Sequence, residues 1–176
     1  MDLRVSAEVP LPRARTYQIY RDHLIDLLPY LPNVQSVEPK EVSGVPPVMR
    51  KVAVWRGGGD IPAAVRSVLG ESMLAWTDTA TWDESRWHCA WSIETHSFKD
   101  ALHCHGENRY IEIDPTRTRV DIEGKISVDA TKIRGVPKIL ARSIGPTIER
   151  FLAARIGDNL KEIARGVARF AATHSP

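Results

Sequence analysis

The last stretch of the chain sets the strongest constraint on its fold. Ile148, Phe151, Leu152, Ile156, Leu160, Ile163, Val167 and Phe170 recur at intervals of three and four. That spacing places them on one stripe of a long helix. Lys161, Arg165 and Arg169 fall on another face. A helix this long, apolar along one side, must lie on a broad apolar surface supplied by the rest of the chain.

The sequence offers a sheet. Leu3–Val9 alternates apolar and polar residues, a strand pattern ended by Pro10 and Pro12. Tyr17, Tyr20, Leu24, Leu27, Leu28 and Leu31 return to helical spacing, interrupted by Pro29 and Pro32. One kinked helix or two short ones are expected there. Strands are then predicted over 34–42, 48–55, 72–82, 86–96, 102–113 and 118–129. Gly57-Gly58-Gly59-Asp60 reads as a turn, with a short helix over Ile61–Leu69 capped by Asp60. Asp83-Glu84-Ser85, Ser97–Ala101 and Asp114-Pro115-Thr116 supply the later turns. The order predicts an α+β fold: a curved antiparallel sheet of about seven strands wrapped around the final helix.

The chain has 176 residues, 43% of them apolar and 26% charged. One domain over residues 1–176 is expected, with a core large enough to need no disulfide or metal. Disordered and collagen-like classes are excluded. No apolar run reaches the roughly 18 residues of a membrane span. Met1-Asp2-Leu3-Arg4-Val5 lacks a signal-peptide pattern, so a cytoplasmic protein is expected. Cys89 and Cys104 are too few for a disulfide framework and read as buried thiols.

The formal net charge of +2 conceals an asymmetry of −4 over residues 1–130 and +6 over 131–176. The basic end suits an anionic membrane surface or acidic partner, or simply a solvated helix face. The total is too small for a nucleic-acid binder. Nothing in the sequence fixes an oligomeric state.

Thr16–Asp22, then Leu31-Pro32-Asn33-Val34-Gln35-Ser36-Val37, resemble the opening helices and second strand of the START/polyketide-cyclase (SRPBCC) superfamily, also called helix-grip or pollen-allergen-like. Arg117–Gly124 resembles its last strand and Ile148–Phe170 its closing helix. The resemblance covers nearly the whole chain and rests on order and pattern. It implies a cavity between sheet and helix that takes a lipid, sterol or polyketide-like molecule, in a carrier or sensor. It also implies two alternatives: a cyclase or aromatase working in the same pocket, and a lipid-transfer protein at a membrane surface. No cofactor is implied.

Strand alternation predicts which side chains line that cavity. Val120, Ile122, Gly124, Ile126 and Val128 share the apolar face of the last strand. A tight turn at Pro115-Thr116 would pair Ile113 with Thr118, placing His103, His105, Glu107, Arg109, Ile111 and Ile113 inward. Symmetric turns further back bring Trp87, Cys89, Trp91 and Ile93 inward, then Leu74, Trp76, Asp78, Ala80 and Trp82. The expected ligand contacts are Trp76, Asp78, Trp91, His105, Glu107, Arg109, Ile122 and Ile126 on the sheet. Ile148, Leu152 and Ile156 complete them from the helix. Arg109 and His105 would hold a polar group, with Glu107 or Asp78 as an acid/base partner.

Other motifs are weaker. His103-Cys104-His105 puts two imidazoles on one strand face, but Glu107 lies about 13 Å along from His103, too far to share a metal. The glycine run lacks the lysine and hydroxyl of a phosphate loop. No nucleophile elbow is present. Cys89 beside Arg109 across strands would have a lowered thiol pKa.

Overall fold

The computed structural model describes residues 1–31, 33–58, 75–97, 99–133, 136 and 138–173. Seven strands form one antiparallel sheet: β1 Asp2–Val9, β2 Val34–Val45, β3 Val48–Gly57, β4 Ala75–Asp83, β5 His88–Thr95, β6 Leu102–Asp114 and β7 Arg117–Val128. Their spatial order is β1-β7-β6-β5-β4-β3-β2. The first strand thus closes on the last, and β2 forms the far edge. Pro39 sits in that edge strand, where its missing N–H costs no central ladder bond.

Helix α1 spans Arg13–Asp22 and turns Thr16, Tyr17, Ile19 and Tyr20 inward. A 3-10 turn at Leu28–Tyr30 follows, so the two-piece alternative for this segment is the observed one. The glycine run beyond Gly58, the expected helix at Ile61–Leu69, and Leu74 lie outside the described residues.

Helix α2 runs from Lys138 to Thr173, 36 residues, with Pro146 inside it. It starts well before the expected Ile148, and each part of it packs on something different. Ala141 and Ile148 bury against Ala101, Ala130 and Ile133. Leu152, Ala153 and Ile156 pack over Leu102, Cys104 and Ile126. Ile163, Ala164, Val167 and Phe170 join the main core with Tyr17, Tyr20, Leu27 and Leu31. The side chain of Leu160 lies outside what is described. Gly166 lets Tyr30 approach the helix: a Cβ there would come within 2.9 Å of the tyrosine ring.

The polar face of α2 is exposed at Lys161, Arg165 and Arg169. Arg165 pairs with Glu162 at 2.5 Å, and Arg169 lies over the Tyr30 ring at 5.9 Å. Among the described residues, no helix is long and apolar enough to cross a membrane.

The register confirms the expected faces on three strands and reverses one. On β7, Val120, Ile122 and Ile126 are buried, as alternation requires. On β4, Ala80 and Trp82 point inward and Thr81 between them does not. The β4–β5 connection is longer than expected. A 3-10 turn at Glu84–Arg86 and a left-handed Trp87 at φ 51° pair Trp82 with Cys89 rather than Trp87. A displacement of two residues preserves the face, so Cys89, Trp91 and Ile93 do point inward.

Strand β6 is reversed. Asp114 pairs with Arg117, Glu112 pairs with Thr118, and Ile113 is skipped as a bulge. One extra residue moves every side chain on the strand to the opposite face. Leu102, Cys104, Asn108 and Tyr110 are therefore buried, while His103, His105 and Arg109 are exposed.

Candidate functional site

Between the sheet and α2 lies a cavity of about 150 Å³, floored by β3, β4 and β5. Trp55, Trp76, Trp82 and Trp91 line it from the sheet. Ile156 and Ile163 close it from α2, and Tyr20, Leu24 and Leu31 from the segment around α1. A second lobe of about 110 Å³ adjoins it, with Leu102, Cys104, Ile126, Phe151 and Leu152 in its wall. Trp76, Ile93, Ile156 and Asn159 belong to both lobes. An apolar cavity of about 150 Å³ is large enough for a single aromatic ring.

The tryptophans are held in place by their neighbours. Trp55 and Trp76 are cross-strand partners, with rings stacked at 6.0 Å and 12°. Trp91 donates its indole N–H to Asn108 Oδ1 at 2.9 Å. Its ring lies over Gly106 and Gly124, which face each other across β6 and β7. Trp82 contacts Tyr17 edge-on at 5.4 Å, in the core beneath the cavity.

Apart from the indoles, the thiols, Tyr20, Asn108 and Thr95, the polar groups of the lobes sit in two places. At the junction of the lobes, Arg155 donates to Asn33 Oδ1, and Asn33 donates to Asn159 Oδ1 at 3.2 Å. This chain of bonds ties the entry to β2 onto α2. On the floor stands Asp78, the one charged side chain lining the larger lobe among the described residues. It has no hydrogen-bond or ion-pair partner among them. Burial alone pushes its carboxyl up from 3.8 to about 7, because desolvation disfavours the charged form and no cation offsets the charge.

The sheet register fixes its surroundings. Trp76 lies two residues along β4, Trp91 pairs with Ala80 on β5, and Trp55 pairs with Trp76 on β3. All three indoles are therefore nearest or diagonal neighbours of Asp78 on one sheet face.

Of the residues expected from sequence, Trp76, Asp78, Trp91 and Ile156 meet in the larger lobe. Ile126 and Leu152 line the smaller one. Ile122 is buried in the main core, and Ile148 in the cluster around Ala130, so neither lines the lobes.

His105, Glu107 and Arg109 are corrected by the Ile113 bulge and lie on the outer face of the sheet. There Glu107 pairs with His88 Nε2 at 3.0 Å and with Arg109. These contacts hold the Glu107 carboxyl below its usual value, the His88 bond contributing most. Cys89 lies opposite Asn108, not beside an inward Arg109. Burial pushes its thiol well up, the reverse of the expected direction.

Sequence reasoning misses Asn108, Trp55, Asn159 and the Arg155–Asn33 pair. Unbroken alternation sends Asn108 outward, opposite to Glu107 and Arg109, and only the position of the bulge recovers it.

No protein-family model matches the sequence, and no curated protein is similar to it. Solved structures do match. TTHA0849 from Thermus thermophilus superposes over 99% of this chain and 100% of its own, with a TM-score of 0.71 at 18% identity. The chain has the helix-grip fold. The Zhui aromatase/cyclase from Streptomyces sp. R1128 shares that fold over 99% of this chain and 96% of its own, with a TM-score of 0.69 at 16% identity. Norcoclaurine synthase from Thalictrum flavum, in complex with dopamine and hydroxybenzaldehyde, matches over 100% and 88% of the two chains. Its TM-score is 0.62 at 12% identity. In this helix-grip chain the grip is formed by the β3–β4–β5 floor and the middle of α2.

Proposed function

We propose that the protein binds a small molecule with an apolar, ring-shaped body between sheet and helix, as a carrier or sensor. One observation carries this reading: two adjoining apolar lobes walled by four tryptophans, with a single carboxylic acid among the described lining residues. Indole faces stack on flat ligands and bury large areas. The helix-grip structures that resemble this chain include a named aromatase/cyclase and a synthase holding aromatic compounds, which fits the same use of the fold.

The test is mass spectrometry of an organic extract from gently purified protein, run beside Ile156→Trp. That substitution fills the shared wall of the two lobes. An apolar compound that accompanies the wild type one-to-one and is lost from Ile156→Trp supports the proposal. Equal uptake by both places the compound elsewhere on the protein and overturns it.

A second reading is an enzyme of cyclase type using this cavity, and Asp78 favours it. A carboxyl pushed up to about 7 in an apolar pocket can both take and return a proton near neutral pH. Asp78→Asn would then abolish turnover while leaving substrate binding in place.

A further inference from the structure

Resting on the small-molecule reading, we infer that the larger lobe selects an organic cation: a hydrophobic amine whose ammonium group pairs with Asp78 while its rings lie among the tryptophans. The lobe carries one formal charge among the described residues, and it is negative. No described side chain bonds it. A carboxylate withdrawn from water takes either a proton or a cation. The other charged or titratable groups nearby do not supply one. Cys89 and Cys104 are thiols held neutral by burial, and Tyr20 is a buried phenol. Arg155 belongs to the neighbouring lobe, where it is bonded to Asn33.

The walls point the same way. Trp55, Trp76 and Trp91 flank Asp78 through the register of β3, β4 and β5. Indole faces carry negative potential and attract ammonium groups held over them. Carboxylate and indoles therefore add to one field, and an ammonium group meets both. A neutral alcohol of the same shape meets only the protonated acid.

Tryptamine and its neutral counterpart tryptophol separate these cases. Both present the same two-ring body; only the terminal group differs. Titration calorimetry with the full chain is expected to give tryptamine binding that tightens as pH rises through about 7, as Asp78 ionises. Tryptophol binding should weaken over the same range, because covering an ionised Asp78 costs solvation. Asp78→Asn should weaken tryptamine at least about tenfold, and leave tryptophol unchanged or tighter.

Tryptophol binding that equals or exceeds tryptamine binding above pH 7 overturns the inference and leaves the small-molecule reading standing. Binding of neither probe overturns both. The opposed pH slopes of the wild type carry the test even if the variant does not fold.

Discussion

The indole of Trp91 lies on Gly106 so closely that a Cβ at Gly106 would sit 2.4 Å from the ring carbon Cζ2. The same Cβ would lie 2.3 Å from the Glu123 carbonyl oxygen, so backbone and ring both close the space. A bare stretch of sheet is what allows a cavity-wall tryptophan to lie down against its strand neighbours.

Gly106→Ala should therefore lift Trp91 into the larger lobe and strain the β6–β7 pairing. A loss of at least about 2 kcal/mol in stability is expected, since neither neighbour is a flexible side-chain end. Urea denaturation gives the number. Unchanged stability and unchanged Trp91 fluorescence would show that the ring does not rest there.

Asp78 gives a pH-dependent prediction. Its carboxyl titrates near 3.8 when unfolded and at about 7 in the fold. Between those values the folded chain keeps a proton that the unfolded chain has released, so this group makes stability fall as pH rises through the window. Above about 7 the loss is complete. Asp78→Asn removes it, and should raise stability by on the order of 4 kcal/mol at pH 8 with little change at pH 4. The difference between variant and wild type isolates Asp78 from the many carboxylates with lowered pKa, which act in the opposite sense. Equal Tm differences at both pH values would contradict it.

Asn108 anchors Trp91 through its side-chain oxygen. Asn108→Ala leaves the indole N–H without that partner and should cost about 1–3 kcal/mol. The Trp91 emission should also shift and broaden as the ring gains freedom. A native-like spectrum with native stability would mean the bond contributes nothing.

The outer face provides the contrasting case. His105→Ala, Glu107→Gln and Arg109→Ala should each change stability by no more than about 0.5 kcal/mol and leave ligand uptake intact. The pairs of Glu107 with His88 and Arg109 are partly exposed and screened, and His105 is exposed. A several-fold loss of ligand binding in any of them would place it inside the grip, as strand alternation alone suggests.

That contrast shows where the sequence is legible. The stripe from Ile148 to Phe170 demands a surface, and the alternating strands supply one, so the architecture follows from periodicity. Asp78 and Trp76 are legible because β4 alternates cleanly and its neighbours agree. His105, Glu107 and Arg109 are misplaced by one skipped residue, Ile113, next to a turn that looks tight in sequence. A bulge has no composition of its own, yet it decides the face of a whole strand. Ile148 is legible as buried but not in its partner. Its stripe continues along a helix whose first turns pack on Ala130 and Ile133 rather than the cavity.

The most direct test of the central claim is xenon pressure with the indole N–H signals of all five tryptophans followed by NMR. Xenon enters empty apolar cavities whatever their natural ligand. Shifts in Trp55, Trp76 and Trp91, with Trp87 unmoved on its separate packing against Tyr17 and Arg13, are the predicted result. Five unmoved signals, or movement of Trp87 alone, would show that no open grip exists between sheet and helix.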